Sequence, residues 1–114
     1  MWKIQYSPPT GQNRSPYEEI LEFDTKDRAY VFGKLQLNAE RDEITEWVGS
    51  LKPIIYKKKK WFQLTINAFR VSMIIDQPNK ILIILHVFRK KSNATKLEDK
   101  NRTYDNLIYW ESEN

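Results

Sequence analysis

Around Asn67-Ala68 the chain sorts its side chains by character with a period of two. If these two residues form a tight turn, Thr65 falls opposite Arg70 and Gln63 opposite Ser72. One face then carries Gln63, Thr65, Arg70 and Ser72, and the other carries Phe62, Leu64, Ile66, Phe69, Val71 and Met73. Only a strand repeats every second residue, so the pattern predicts a β-hairpin with an apolar core face and a polar, open face. Asp76-Gln77-Pro78-Asn79 supplies the next turn. Ile81 to Phe88 is nearly all apolar and reads as a central strand covered on most of both faces. Residues 61–92 are thus three successive strands ending in Arg89-Lys90-Lys91.

The remaining elements follow from local signals. Trp2 to Tyr6 alternates like a short first strand, and Ser7-Pro8-Pro9-Thr10-Gly11 is a loop. Ser15-Pro16-Tyr17-Glu18 combines a capping serine, proline at the first helical position and glutamate three residues after the cap. A second helix is expected from Asp24 or Thr25 to about Glu40, with Phe32, Leu35 and Ala39 inward. Ile44, Trp47, Val48 and Leu51 fit a short helix before Pro53, after which the period becomes that of a sheet. Lys96 to Tyr109 is expected to form a C-terminal helix with Tyr104, Leu107 and Ile108 inward.

These elements fit one domain over 1–114, of α+β class, with a twisted, mostly antiparallel sheet, two to three helices on one face and an exposed basic face. The chain has no cysteine, so disulfides and thiolate metal sites are excluded. The first six residues lack a signal peptide's apolar run, and Ile81–Leu85 is too short to span a bilayer. No membrane association is expected, and the cytoplasm is the default location.

A net charge of +4 hides a sharp division. Residues 1–51 hold six Lys/Arg against nine Asp/Glu, whereas residues 52–102 hold thirteen against three. Such concentration suits a polyanionic partner, although a solvated face gives the same count. Lys57, Lys58, Lys59 and Lys60 beside Trp61 suggest phosphate contacts with base stacking on the indole, or an edge strand guarded by lysines. Lys90 and Lys96 extend the basic surface, and Thr95 and Tyr104 lie nearby in sequence. Arg89 and Lys91 share one strand face, which is Arg70's face if Phe88 points to the core. His86, the single histidine, is expected as a hydrogen-bonded core residue on the face of Phe88. Glu18 and Glu19 read as helix-start charges favoured by the dipole.

The order strand, two helices, hairpin, central strand and basic terminus resembles the RelE/HigB-like toxin family, particularly its phage-associated branch. The resemblance is carried by Trp2-Lys3-Ile4, by Ser15-Pro16-Tyr17-Glu18-Glu19-Ile20-Leu21 and by Lys26-Asp27-Arg28-Ala29. It continues through Trp61-Phe62-Gln63-Leu64-Thr65 and Phe69-Arg70-Val71 to Leu85-His86-Val87-Phe88-Arg89-Lys90-Lys91-Ser92, then Thr95 and Glu98. It implies the toxin of a type II toxin-antitoxin system: an endoribonuclease that cleaves translated mRNA on the ribosome by 2′-hydroxyl attack on the adjacent phosphate. Neither metal nor cofactor would be needed. The partners would be mRNA, the ribosome and a protein antitoxin of helix-turn-helix type.

On that reading Arg70 stabilises the phosphate, Arg89 and Lys91 complete the catalytic set, and a lysine of 57–60 replaces a missing cation. That replacement is needed because Thr65 stands where the family commonly has arginine. Two other expectations stand beside it. One is a weakened or inactive relative that binds RNA or an antitoxin without cutting; the other is a basic protein-interaction module.

Overall fold

The computed structural model describes residues 1–113 as β1 (Lys3–Tyr6), α1 (Pro16–Leu21), α2 (Thr25–Ala39), β2 (Ser50–Tyr56), β3 (Lys59–Ile66), β4 (Phe69–Asp76), β5 (Ile81–Arg89) and α3 (Leu97–Glu113). A single 3₁₀ turn, Ile44–Glu46, lies between α2 and β2. The five strands form one sheet in the order β1-β5-β4-β3-β2. Only β1 and β5 run parallel; all other neighbours are antiparallel. The α+β class and the mostly antiparallel sheet match expectation. No helix among the described residues is long and apolar enough to cross a membrane.

The β3–β4 connection follows from a residue that tolerates left-handed backbone. Asn67 takes φ 53° at the β3–β4 turn, which sets the expected Thr65↔Arg70 and Gln63↔Ser72 register. Ser15 and Glu18 close a reciprocal capping box at α1, and Asp24 accepts the Asp27 N–H at α2. Asp76 likewise accepts the Asn79 N–H in the β4–β5 turn.

The stretch 42–53 departs from expectation. It contains one 3₁₀ turn and then the first residues of β2, which starts at Ser50 and carries Pro53 on the sheet edge. Buried Asn38 of α2 causes the break: its side chain accepts the Val48 N–H (2.7 Å) and donates to the Val48 carbonyl (3.0 Å). These bonds occupy groups a helix would have used internally. Gly49 then turns the chain at φ 105°, where an added Cβ would lie 2.6 Å from the Thr65 carbonyl oxygen.

Helices cover both faces of the sheet, not one. On one side α1 and α2 close a core of Trp2, Ile20, Val31, Leu35, Ala39, Leu64, Val71, Met73, Ile84 and Val87. On the other, α3 packs Leu107 over Trp61, Ile83 and Leu85, with Tyr56, Tyr104 and Trp110 around them. Ile108, expected inward, is exposed instead. Burying two apolar layers suits a strand that is apolar on both faces, as β5 is.

A bulge sets which β5 side chain reaches which layer. Ser72 pairs with His86 and Met73 with Ile84, so Leu85 is the extra residue. Its carbonyl accepts Asn106 Nδ2 at 2.7 Å. Leu85 and His86 therefore both face α3, while Ile84 and Val87 face α2.

Candidate functional site

The polar hairpin face is not open. Gln63, Arg70 and Ser72 are buried, Arg70 to 4% exposure. Two elements seal them: α3 and the connecting strap of residues 90–96. Thr103 of α3 donates to Ser72 (3.1 Å), Thr95 donates to Gln63 Oε1 (2.8 Å), and Arg70 Nη2 donates to the Asn93 carbonyl (2.7 Å). The polar residues of this face therefore answer polar groups of a covering layer, not solvent.

Arg70 is an unusual resident of that layer. No carboxylate lies within ion-pair distance of it among the described residues, and its Nε–H has no partner. Gln63 Nε2, on the same face, is also unpartnered. Buried charges are ordinarily paired, so this constellation has room in its bonding for an anion.

Arg89 does not join it. Arg70 stands opposite Phe88 and Phe69 opposite Arg89, and residues directly opposite share a face. The two arginines therefore leave the sheet on opposite sides, correcting the expectation of a shared open surface. Arg89 pairs with Asp27 and lies over the Phe23 and Phe69 rings on the α2 side. Phe88, the expected core-side residue, lies on Arg70's side and stacks on His86 at 4.6 Å.

His86 is buried, as expected, and has more partners than a core histidine needs. Its Nδ1 faces Glu19 Oε2 of α1 at 2.8 Å, and its Nε2 faces Asp99 Oδ1 of α3 at 2.8 Å. A neutral imidazole donates from one nitrogen only, so two carboxylate partners favour the imidazolium. Burial opposes that charge; the hydrogen bonds and charges of Asp99 and Glu19 outweigh it, and His86 titrates above the usual histidine range. Glu19 is correspondingly not a simple helix-start charge. Its Oε1 also accepts the Val87 N–H at 3.0 Å, at the β5 edge that β1 leaves free after Tyr6.

Around His86 opens a cleft walled by α1, the end of β5 and the start of α3. Arg14, Arg89, Lys91 and Arg102 stand on its rim. Each has an acidic neighbour: Glu22 for Arg14, Asp27 for Arg89, Glu98 for Lys91 and Glu19 for Arg102. Lys91 thus lies by the cleft. Glu19 was read from sequence only as a helix-start charge, and Asp99, Arg14 and Arg102 were not singled out, because charged residues in and near helices are common everywhere.

The lysine run occupies the β2–β3 hairpin. Lys57 and Lys58 form its two-residue tip at φ 49° and 66°. Lys57, Lys58 and Lys60 are exposed without a carboxylate partner among the described residues, whereas Lys59 pairs with Glu111 at 2.8 Å. Trp61 is 2% exposed beneath α3 and presents no face to a base, which corrects the expected stacking role. Lys90 and Lys96 are exposed on the strap, and the Lys90 N–H bonds the Ala68 carbonyl at 2.7 Å. The chain matches no protein-family model and no curated protein.

Proposed function

We propose that this chain is a RelE-like, toxin-type protein that binds RNA through the lysine hairpin and leaves the strand uncut. The observation that carries this reading is the division of the cations. Arg70 and Arg89 leave opposite faces, with Arg70 sealed, while Lys57, Lys58 and Lys60 remain exposed with no carboxylate partner among the described residues, Lys57 lying over the Tyr56 and Tyr104 rings and Lys60 over Phe62. Phosphate cleavage by positioning needs several donors converging on one phosphate. Backbone binding needs only accessible cations.

Backbone conformation adds weight. A tip with positive φ at both positions favours asparagine and glycine, and lysine there accepts left-handed strain. Keeping two lysines at such a tip suits a demand for charge. The order β1, α1, α2, then the β3–β4 hairpin, β5 and a basic segment at its end follows the order the RelE/HigB resemblance implies, with β2 and α3 in addition. A protein antitoxin and the ribosome are the partners consistent with it.

The test pairs binding with cleavage. In filter binding to ribosomal RNA, Lys57→Glu/Lys58→Glu should weaken affinity and flatten the salt dependence. Primer extension on cellular mRNA after induction should reveal no new ends. New ends that disappear with Arg70→Ala would overturn this reading.

A second reading, the active mRNA endoribonuclease, is favoured by the unpartnered Arg70 Nε and Gln63 Nε2. A scissile phosphate would satisfy both, once the strap of residues 90–96 is lifted away.

A further inference from the structure

We propose that protonated His86 is a latch that clamps the first turn of α3, and with it the strap of residues 90–96, over the Arg70 face, and that losing its proton releases both. The device stands on contacts within the chain and holds whether or not RNA is the ligand; only the use of the uncovered face rests on the reading above.

The argument starts from proton count. His86 presents a ring nitrogen to a carboxylate on each of two elements, Glu19 of α1 and Asp99 of α3, both at 2.8 Å. With the proton in place, each nitrogen donates and the imidazolium bridges the two helices. Without it, one lone pair confronts a carboxylate oxygen at hydrogen-bond distance, and two buried anions lose the cation between them.

The rest of the surroundings does not replace that charge. From α3, Arg102 reaches Glu19 at 3.5 Å with about half its side chain in solvent, and Glu98 lies on the rim. From α1 come Glu19 and Glu22; from the segment before it, Arg14, which is paired to Glu22. From β5 and beyond, Arg89 and Lys91 are engaged by Asp27 and Glu98. Ser72 of β4, opposite His86, is uncharged, and Arg70 lies further along the same face.

The two carboxylates are not equally anchored. Glu19 keeps the Val87 N–H and sits beside fully buried Ile20. Asp99's carboxylate has only the imidazole among its described side-chain hydrogen bonds. Asp99 is therefore the group that leaves. Behind it, α3 stays fixed by Thr103 on Ser72, Asn106 on the Leu85 carbonyl, and Leu107 in the core. Ahead of it, the strap is held by Arg70 on Asn93, Thr95 on Gln63, and the half-exposed Lys91–Glu98 pair at 3.5 Å. Opening thus involves the strap and one helical turn, and it uncovers Arg70 and Gln63.

The sign follows from the direction of the His86 shift. A histidine held above its unfolded value contributes stability fully below that value, and the contribution fades as pH rises through the folded one. The closed state therefore belongs to the acidic side and the open state to the alkaline side.

His86 is the chain's single histidine, so its ring resonances are unambiguous in NMR. In a titration from acidic to mildly alkaline pH, its ring should titrate above the usual histidine value. The amides of Asn93, Thr95 and Asp99 should move over the same range, with those of the β2–β3 hairpin unchanged. Asp99→Ala, which removes the carboxylate and puts no donor in its place, should give the open-state shifts already at neutral pH and at least about tenfold faster amide exchange in the first turn of α3. A His86 titration with silent strap amides overturns the latch, as does a ring that never titrates. Movement shared by the hairpin would be global unfolding and also overturns it, as would Asp99→Ala shifts matching wild type. None of these readouts contains RNA, so failure here is separable from failure of RNA binding.

Discussion

Replacing Arg70 with methionine should change the stability of the fold only slightly, although it removes a buried charged side chain. Methionine keeps an unbranched stem and carries neither charge nor donors. The substitution gives up the Nη2 bond to the Asn93 carbonyl, worth about 1.5–3 kcal/mol as a bond from a charged donor. Against that, it relieves an unpartnered buried Nε–H, worth about 1–3 kcal/mol, and the desolvation of a guanidinium with no carboxylate. Apolar replacement of buried charges is commonly neutral or stabilising by about 1–4 kcal/mol.

The balance for Arg70→Met is a change between about 1 kcal/mol lost and 2 kcal/mol gained. At this chain length 1 kcal/mol corresponds to roughly 4 °C in Tm. Thermal melting followed by circular dichroism should therefore show a shift between about 4 °C down and 8 °C up. RNA affinity by filter binding should not change. A drop beyond about 12 °C would refute the reasoning, because Arg70 would then be a satisfied structural tie and not a charge awaiting an anion.

Lys57→Gly/Lys58→Gly should raise Tm by relieving left-handed strain while weakening RNA binding, with the slope of log affinity against log salt falling by roughly 1.4–1.8. A stability gain without loss of RNA affinity would remove the hairpin from the interface. Asn38→Ala leaves Val48 without either backbone partner and should cost about 2–4 kcal/mol in urea denaturation. Trp61→Ala should cost about 3–5 kcal/mol through the cavity beneath α3, with RNA affinity per folded molecule unchanged. Weaker binding by a fully folded Trp61→Phe variant would restore the stacking role denied above.

The elements with strong local signals are legible in the sequence: the capping box at Ser15, the Asp24 start of α2, and the hairpin register about Asn67. What lay beyond reach was set by long-range contacts. Whether the polar hairpin face meets water or a polar layer depends on where α3 lands, and Gln63, Arg70 and Ser72 read alike in either case. The facing of Arg89 was ambiguous for a related reason. Simple alternation puts Leu82, Ile84, His86 and Phe88 on one face; the bulge at Leu85 leaves Leu82 and Ile84 there and turns His86 and Phe88 to the other. An almost unbroken apolar run conceals such a slip, because neither phase exposes a polar residue. Glu19 was hidden because its role depends on β1 ending at Tyr6 and leaving Val87 unpaired by a strand.

The parallel seam between β1 and β5 has a consequence for how the molecule is made. Lys3 finds Ile81, and Trp2 docks its amide on Ala39, so β1 waits for a segment synthesised much later. The β2–β5 meander can assemble by successive local pairings, whereas this closure spans most of the polypeptide and carries a larger entropic barrier. Until it occurs, one border of β5 stays bare and Trp2 remains wet. Docking of the amino-terminal strand is thus the step at which the nascent protein is most exposed to mispairing with another copy.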